Sequence, residues 1–206
     1  FRLSRWAGGL VPRFGPRIPL ILGPVITAGG FILFALPDTR GSYWTTFFPA
    51  VLVMGFGMSL VIAPLTTTAL NSVEGRHSGL ASGVNNAVSR TASLLAIAVM
   101  GFVVFAVFSG TLDSRLANLD LPEETHTAME EQKSSLGGAR PPESVDGETA
   151  ASIEQAVDES FITAFRVAMY IAAGLALASA VASALIIEGK GQATRSEKPE
   201  GEAAPA

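Results

Sequence analysis

Apolar residues in this chain come in long runs. Ile18–Leu36 passes without a charged side chain, and so do Gly41–Val73, Thr91–Leu112 and Val167–Ile187. A helix rises 1.5 Å per residue, so about 20 apolar residues cross the roughly 30 Å hydrocarbon core of a bilayer. All four runs reach that length. The first, second and fourth are apolar all round, whereas a helix on a soluble core keeps a polar face. Backbone groups in lipid must satisfy one another within a segment, so the runs are expected to be helices. The expected fold class is therefore all-α integral membrane. It has four transmembrane helices, at 18–36, 45–70, 78–112 and 161–187.

Polar segments connect the runs. The 1–17 stretch precedes the first span, the 113–159 segment separates the third from the fourth, and 188–206 forms a tail. Twelve acids face Arg115, Lys133 and Arg140 in 113–159. Its middle, Ser134–Gly147, is rich in Gly, Pro and Ser and is expected to be disordered, as is the tail. The ends of the segment differ from its middle. Leu112, Leu116 and Leu119 share one helical face, and Ile153, Val157 and Phe161 share another, so helices should continue past the membrane.

Basic residues in short loops set orientation. Arg2, Arg5, Arg13 and Arg17 precede the first span, Arg76 follows the second, and Lys190, Arg195 and Lys198 follow the fourth. Four crossings put these three places on one side. The N-terminal stretch, the Val73–His77 loop and the C-terminus are thus expected in the cytoplasm. The 113–159 segment is then extracytoplasmic, and the protein is a multi-pass protein of the cell membrane.

Polar positions inside the spans carry the candidate chemistry. On a helix of 3.6 residues per turn, Ser78, Ser82, Asn85, Asn86, Ser89, Arg90 and Ser93 share an arc of about 140°. Such a stripe must face protein or water, because polar groups in lipid are costly. Ser82 and Ser93, flanked by Gly79 and Gly83, fit hydrogen bonding between closely packed helices. Asn85, Asn86, Ser89 and Arg90 are the candidates for a transport pathway or gate. Arg166, near one end of the fourth span, is expected to snorkel to the interface or to pair with Asp158 and Glu159. Pro64 removes a backbone bond from the second span and is a candidate kink, with Gly55 and Gly57 loosening the middle. Gly174, Ala178 and Ala182 form a small-residue ridge suited to packing.

Composition narrows the classes further. Apolar residues make up 49% and charged residues 16%, against about 25% charged in soluble domains. A net charge of −4 leaves no basic surface for nucleic acid. Zero cysteines remove disulfides, thiolate metal sites and cysteine nucleophiles. His77 and His126 lack metal-ligand spacing, and neither a phosphate loop nor a nucleophile elbow occurs. No catalytic residue, metal or cofactor is expected. No acid lies in any charge-free run, so this chain alone offers no proton carrier within the bilayer. The chain begins at Phe1, and its first apolar run leads into others, unlike a signal peptide. A piece of a longer protein is expected.

Three stretches carry a resemblance. Gly8-Gly9-Leu10-Val11-Pro12-Arg13-Phe14-Gly15-Pro16-Arg17-Ile18-Pro19-Leu20 resembles the cytoplasmic loop signature of the major facilitator superfamily, G-x-L-x-D-R-x-G-R-[KR]-x-x-L. Gly8, Leu10, Arg13, Gly15, Arg17 and Leu20 match, while Pro12 replaces the acid and Pro16 a basic residue. Pro64–Ala69 followed by Gly79–Asn86 and Arg90 is similar to the penultimate-helix region of the fourteen-helix drug:proton antiporter branch. Phe161–Ala168 is similar to the start of its final helix. The resemblance implies the C-terminal four-helix part of a facilitator bundle working by alternating access. It implies small-molecule substrates and protons as partners, alongside the lipid bilayer and the missing N-terminal helices of the same protein. Proton-coupled efflux of drugs or amphipathic metabolites is the implied activity. Two alternatives stand beside it. One is a complete small four-helix subunit with a binding or assembly role. The other is a facilitator-fold transporter of a nutrient, lipid or siderophore.

Overall fold

A computed structural model describes residues 17–37, 43–71 and 78–187. Its helices are α1 (Arg17–Ala35), α2 (Tyr43–Asn71), α3 (Ser78–Leu116), α4 (Glu123–Gln132) and α5 (Gly147–Ile186), with a 3-10 turn at Lys133–Gly138 after α4. No strand occurs among the described residues. Arg17–Ala35, Tyr43–Ile62, Gly79–Leu116 and Gly147–Ile186 are each long and apolar enough to cross a bilayer. The chain is an all-α, multi-pass membrane protein.

Two of the helices outrun any membrane. α3 has 39 residues and α5 has 40, so each is about 60 Å long at 1.5 Å per residue, twice the hydrocarbon core. The surplus is where the leucine and isoleucine faces lie. α2 continues through Pro64 to Asn71 and buries the proline ring.

Two compact units make up the chain. The first takes the described parts of 1–30, 51–85 and 173–206, and the second takes 31–50 and 86–172. In the first unit α1 and α2 approach until only hydrogen fits between them. A Cβ on Gly30 would lie 2.8 Å from the Met54 Cβ, and one on Gly57 would lie 2.6 Å from the Thr27 amide nitrogen. Thr27 is buried there and turns its hydroxyl back to donate to the Gly23 carbonyl at 2.9 Å, so no orphan group enters the contact. Gly57 is thus a packing residue. Gly55, with open space around it, is not.

The second unit holds a hydrophobic core built from the far ends of α3 and α5. Phe108, Leu112 and Leu116 of α3 meet Ile153, Val157 and Ala164 of α5, and Met129 of α4 closes the cluster. The stretch expected to be disordered is folded here. Ala139 is buried in the same core, and a Cβ on Gly137 would sit 3.1 Å from the Phe161 ring. Gln132 and Arg140 exchange two hydrogen bonds of 3.0 and 2.9 Å. Gly, Pro and Ser serve here to turn the chain tightly. Met129, Leu136 and Ala139 are spaced too widely to register as a run, yet they anchor the turn.

Candidate functional site

All four candidate pathway residues stand on α3. Asn85, Asn86, Ser89 and Arg90 are exposed, and among the described residues the Arg90 side chain has no ion pair or hydrogen bond. Ser93 donates back to the Ser89 carbonyl at 2.8 Å, which satisfies its hydroxyl within the helix. Only 6% of the most apolar stretch of α3 is buried. Neither Gly79 nor Gly83 has any neighbour within 4 Å where a Cβ would stand. Among the described residues, then, nothing covers Asn85, Asn86, Ser89 or Arg90, while Ser82 is half-buried.

Of the loop signature, Gly8, Leu10, Arg13 and Gly15 lie outside the described residues, as do Arg76, His77 and the tail. Arg17 is described. It opens α1 and donates to the Ala184 carbonyl in the last turn of α5 at 2.7 Å. Arg166 also reaches main chain. Its Nε donates to the Ala35 carbonyl at 3.0 Å and its Nη2 to the Pro37 carbonyl at 3.2 Å. Glu159, one of its expected partners, instead takes Arg115 and the Gln155 amide. The carbonyls at a helix C-terminus lack intrahelical donors and carry partial negative charge, so they compete well for a guanidinium. No sequence signal marks a carbonyl acceptor. The ridge of Gly174, Ala178 and Ala182 is exposed, and α5 buries Ala164, Ala168, Ala173 and Ala180 instead.

Charged groups of 113–159 do structural work. Lys133 reaches both Asp113 and Glu130. Burial alone would push its ammonium down, but hydrogen bonds and charge from the two carboxylates outweigh that and hold it above the ordinary lysine range. Asp146 starts α5. Its Oδ1 accepts the Glu148 and Thr149 amides at 3.0 Å each, and its Oδ2 accepts the Thr149 hydroxyl at 2.7 Å. The Thr149 amide, then its hydroxyl, hold the Asp146 carboxyl below the usual range. His126 is half-buried in α4. No group of three His, Cys, Asp or Glu among the described residues is placed to hold a metal ion.

No family model matches the chain. Curated proteins do. The multidrug resistance protein Stp of Mycobacterium tuberculosis is 28% identical over 177 residues, covering 82% of this chain and 32% of Stp. The tetracenomycin C resistance and export protein of Streptomyces glaucescens is 24% identical over 84% of this chain and 32% of its own length. A triacylglyceride transporter of Mycolicibacterium smegmatis is 31% identical over 53% of this chain and 22% of its own. The chain spans about a third of the length of the first two relatives. These matches make the chain similar to drug-resistance and export transporters, and its four long apolar helices agree with a multi-pass membrane protein of that kind.

Proposed function

We propose that the chain supplies four membrane-crossing helices of a secondary transporter that exports drugs or amphipathic metabolites in exchange for protons. The observation that carries this reading is the match to a multidrug resistance protein along 82% of the chain. The exposed stripe on α3 supports it physically. Arg90 facing lipid would be costly, so the stripe faces further helices of the same protein or water. Asn85, Asn86, Ser89 and Arg90 then line the pathway or its gate, and Pro64 lets α2 bend. Gly8, Leu10, Arg13, Gly15 and Arg17 lie on the cytoplasmic side with the C-terminus. The bundle exposes a central site to each side in turn.

The test is transport by the intact protein in energised inverted vesicles. Accumulation of a fluorescent cationic drug that collapses with the proton gradient is expected. No movement of drug, or movement that ignores the gradient, would overturn the reading. Arg13→Ala and Gly15→Leu should slow cycling without changing which drugs are carried.

A further inference from the structure

Two arginines do the same job in the structure. Within the first unit, Arg17 at the start of α1 holds the Ala184 carbonyl near the end of α5. Within the second unit, Arg166 of α5 holds Ala35, the last residue of α1, and Pro37 just beyond. Ala184 and Ala35 lie in the last turn of a helix, where carbonyls have no intrahelical donor and the macrodipole favours a cation. Donor and acceptor are 167 residues apart in one contact and 131 in the other. Each contact is therefore a tie between α1 and α5, not a helix capping itself.

Packing leaves α5 in need of such ties. Only 11% of its most apolar stretch is buried, and its Gly174 ridge is exposed. Both contacts are part-buried, and a main-chain carbonyl released in an apolar setting is costly to leave unpaired. Arg166 uses the fork of its guanidinium to engage two oxygens, a geometry that a lysine ammonium does not reproduce.

We propose that Arg17 and Arg166 are positioning residues that keep α1 and α5 engaged while the protein changes state. The change of state rests on the transporter reading above, whereas the ties do not.

This chain has no cysteine, so introduced pairs label cleanly once any cysteines elsewhere in the intact protein are removed. Leu22→Cys with Val181→Cys reports the first tie, and Ile32→Cys with Tyr170→Cys the second. All four sites are exposed. Spin-label distances are read in nanodiscs at pH 8 and pH 5.5, with and without a transported drug. Each pair should give one narrow peak that stays in place in every condition. Arg166→Gln should lose the Ile32–Tyr170 peak and keep the Leu22–Val181 peak, and Arg17→Gln should do the reverse. Efflux kcat should fall about tenfold with KM for the drug unchanged. Arg166→Lys should broaden its own peak while keeping the protein in the membrane, which covers the case of a glutamine variant that does not insert. Peaks as narrow in the variants as in the parent would overturn the proposal, and so would parent peaks that shift between conditions. A parent that moves no drug would sink the transporter reading alone, because the peaks report the ties without it.

Discussion

α1 and α3 are both apolar enough to cross a bilayer, yet the chain covers 44% of the apolar stretch of one and 6% of the other. α1 presents Gly23, Thr27 and Gly30 to α2, and an arginine meets a helix end at each of its termini. α3 presents Leu80, Val88, Leu94 and Ile97 to open space, alongside its polar stripe. Apolarity explains why both insert, but not what either touches. Lipid tails are as apolar as leucine, so helices in a bilayer associate through close fit and hydrogen bonds. α1 has those features toward this chain, and α3 does not. The far end of α3 makes the same point from the other direction. There Phe108, Leu112 and Leu116 are 0%, 0% and 3% exposed. That end leads out of the charge-free run to Asp113 and Arg115, where water restores the hydrophobic drive.

The sharpest way to break the comparison is Gly57→Leu. Its Cβ would collide with the main chain of α1, 2.6 Å from the Thr27 nitrogen and 2.8 Å from the Gly23 oxygen. Backbone does not give way, so the folded protein should disappear from the membrane fraction. Gly55→Leu, two residues away with nothing within 4 Å, should accumulate normally. Equal abundance of the two variants would show that α1 and α2 do not meet as described.

Next in size is Met129→Ala, aimed at the covered end of α3. Met129 is fully buried in the second unit, and truncating such a side chain costs about 2–5 kcal/mol. Amide exchange across 123–138 should accelerate while α1 and α2 keep their protection. Unchanged exchange in 123–138 would mean that this segment does not fold on the α3–α5 core.

Arg90→Ala tests the uncovered part of α3. The residue is exposed and makes no hydrogen bond or ion pair among the described residues, so membrane abundance should hold. Efflux by the intact protein should fall about tenfold or more, a loss of roughly 1.4 kcal/mol in the rate-limiting step. Normal efflux would remove Arg90 from the pathway. Lost abundance would make it a structural residue instead.

Much of the fold was legible because charge is excluded from lipid, and four charge-free runs are hard to miss. The helical surplus of α3 and α5 was legible too, from Leu112 and Leu116 on one helix and Ile153 and Val157 on the other. Three things were not. Gly57 looks like any other glycine in a span until its neighbour is known. Arg17 and Arg166 bind carbonyls, which every residue has and which therefore leave no pattern. The folded turn around Gly137 was hidden because its composition matches that of disorder, while its few anchors are far apart. The candidate stripe was visible as a pattern on α3, but the described residues place nothing against Asn85, Asn86, Ser89 or Arg90.

The smallest expected effect concerns the start of α5, where Asp146 launches the helix that carries Ile153 into the core. Its carboxyl is held below the ordinary range, chiefly by the Thr149 amide and then the Thr149 hydroxyl. The folded value is the lower of the two, so the contribution is complete above the ordinary aspartate value of about 3.9. It is lost as pH falls through the folded value. Asp146→Asn keeps an acceptor for the helix amides but neither the charge nor the titration. At pH 7 the amides of 147–152 should therefore exchange more slowly in the parent than in the asparagine variant, each compared at the same pH. That advantage should persist through mildly acid conditions and shrink only below the ordinary carboxylate range. An advantage that stays constant down to the lowest pH would mean that the carboxylate charge does not hold the first turn. The geometry of the acceptor alone would then account for the cap.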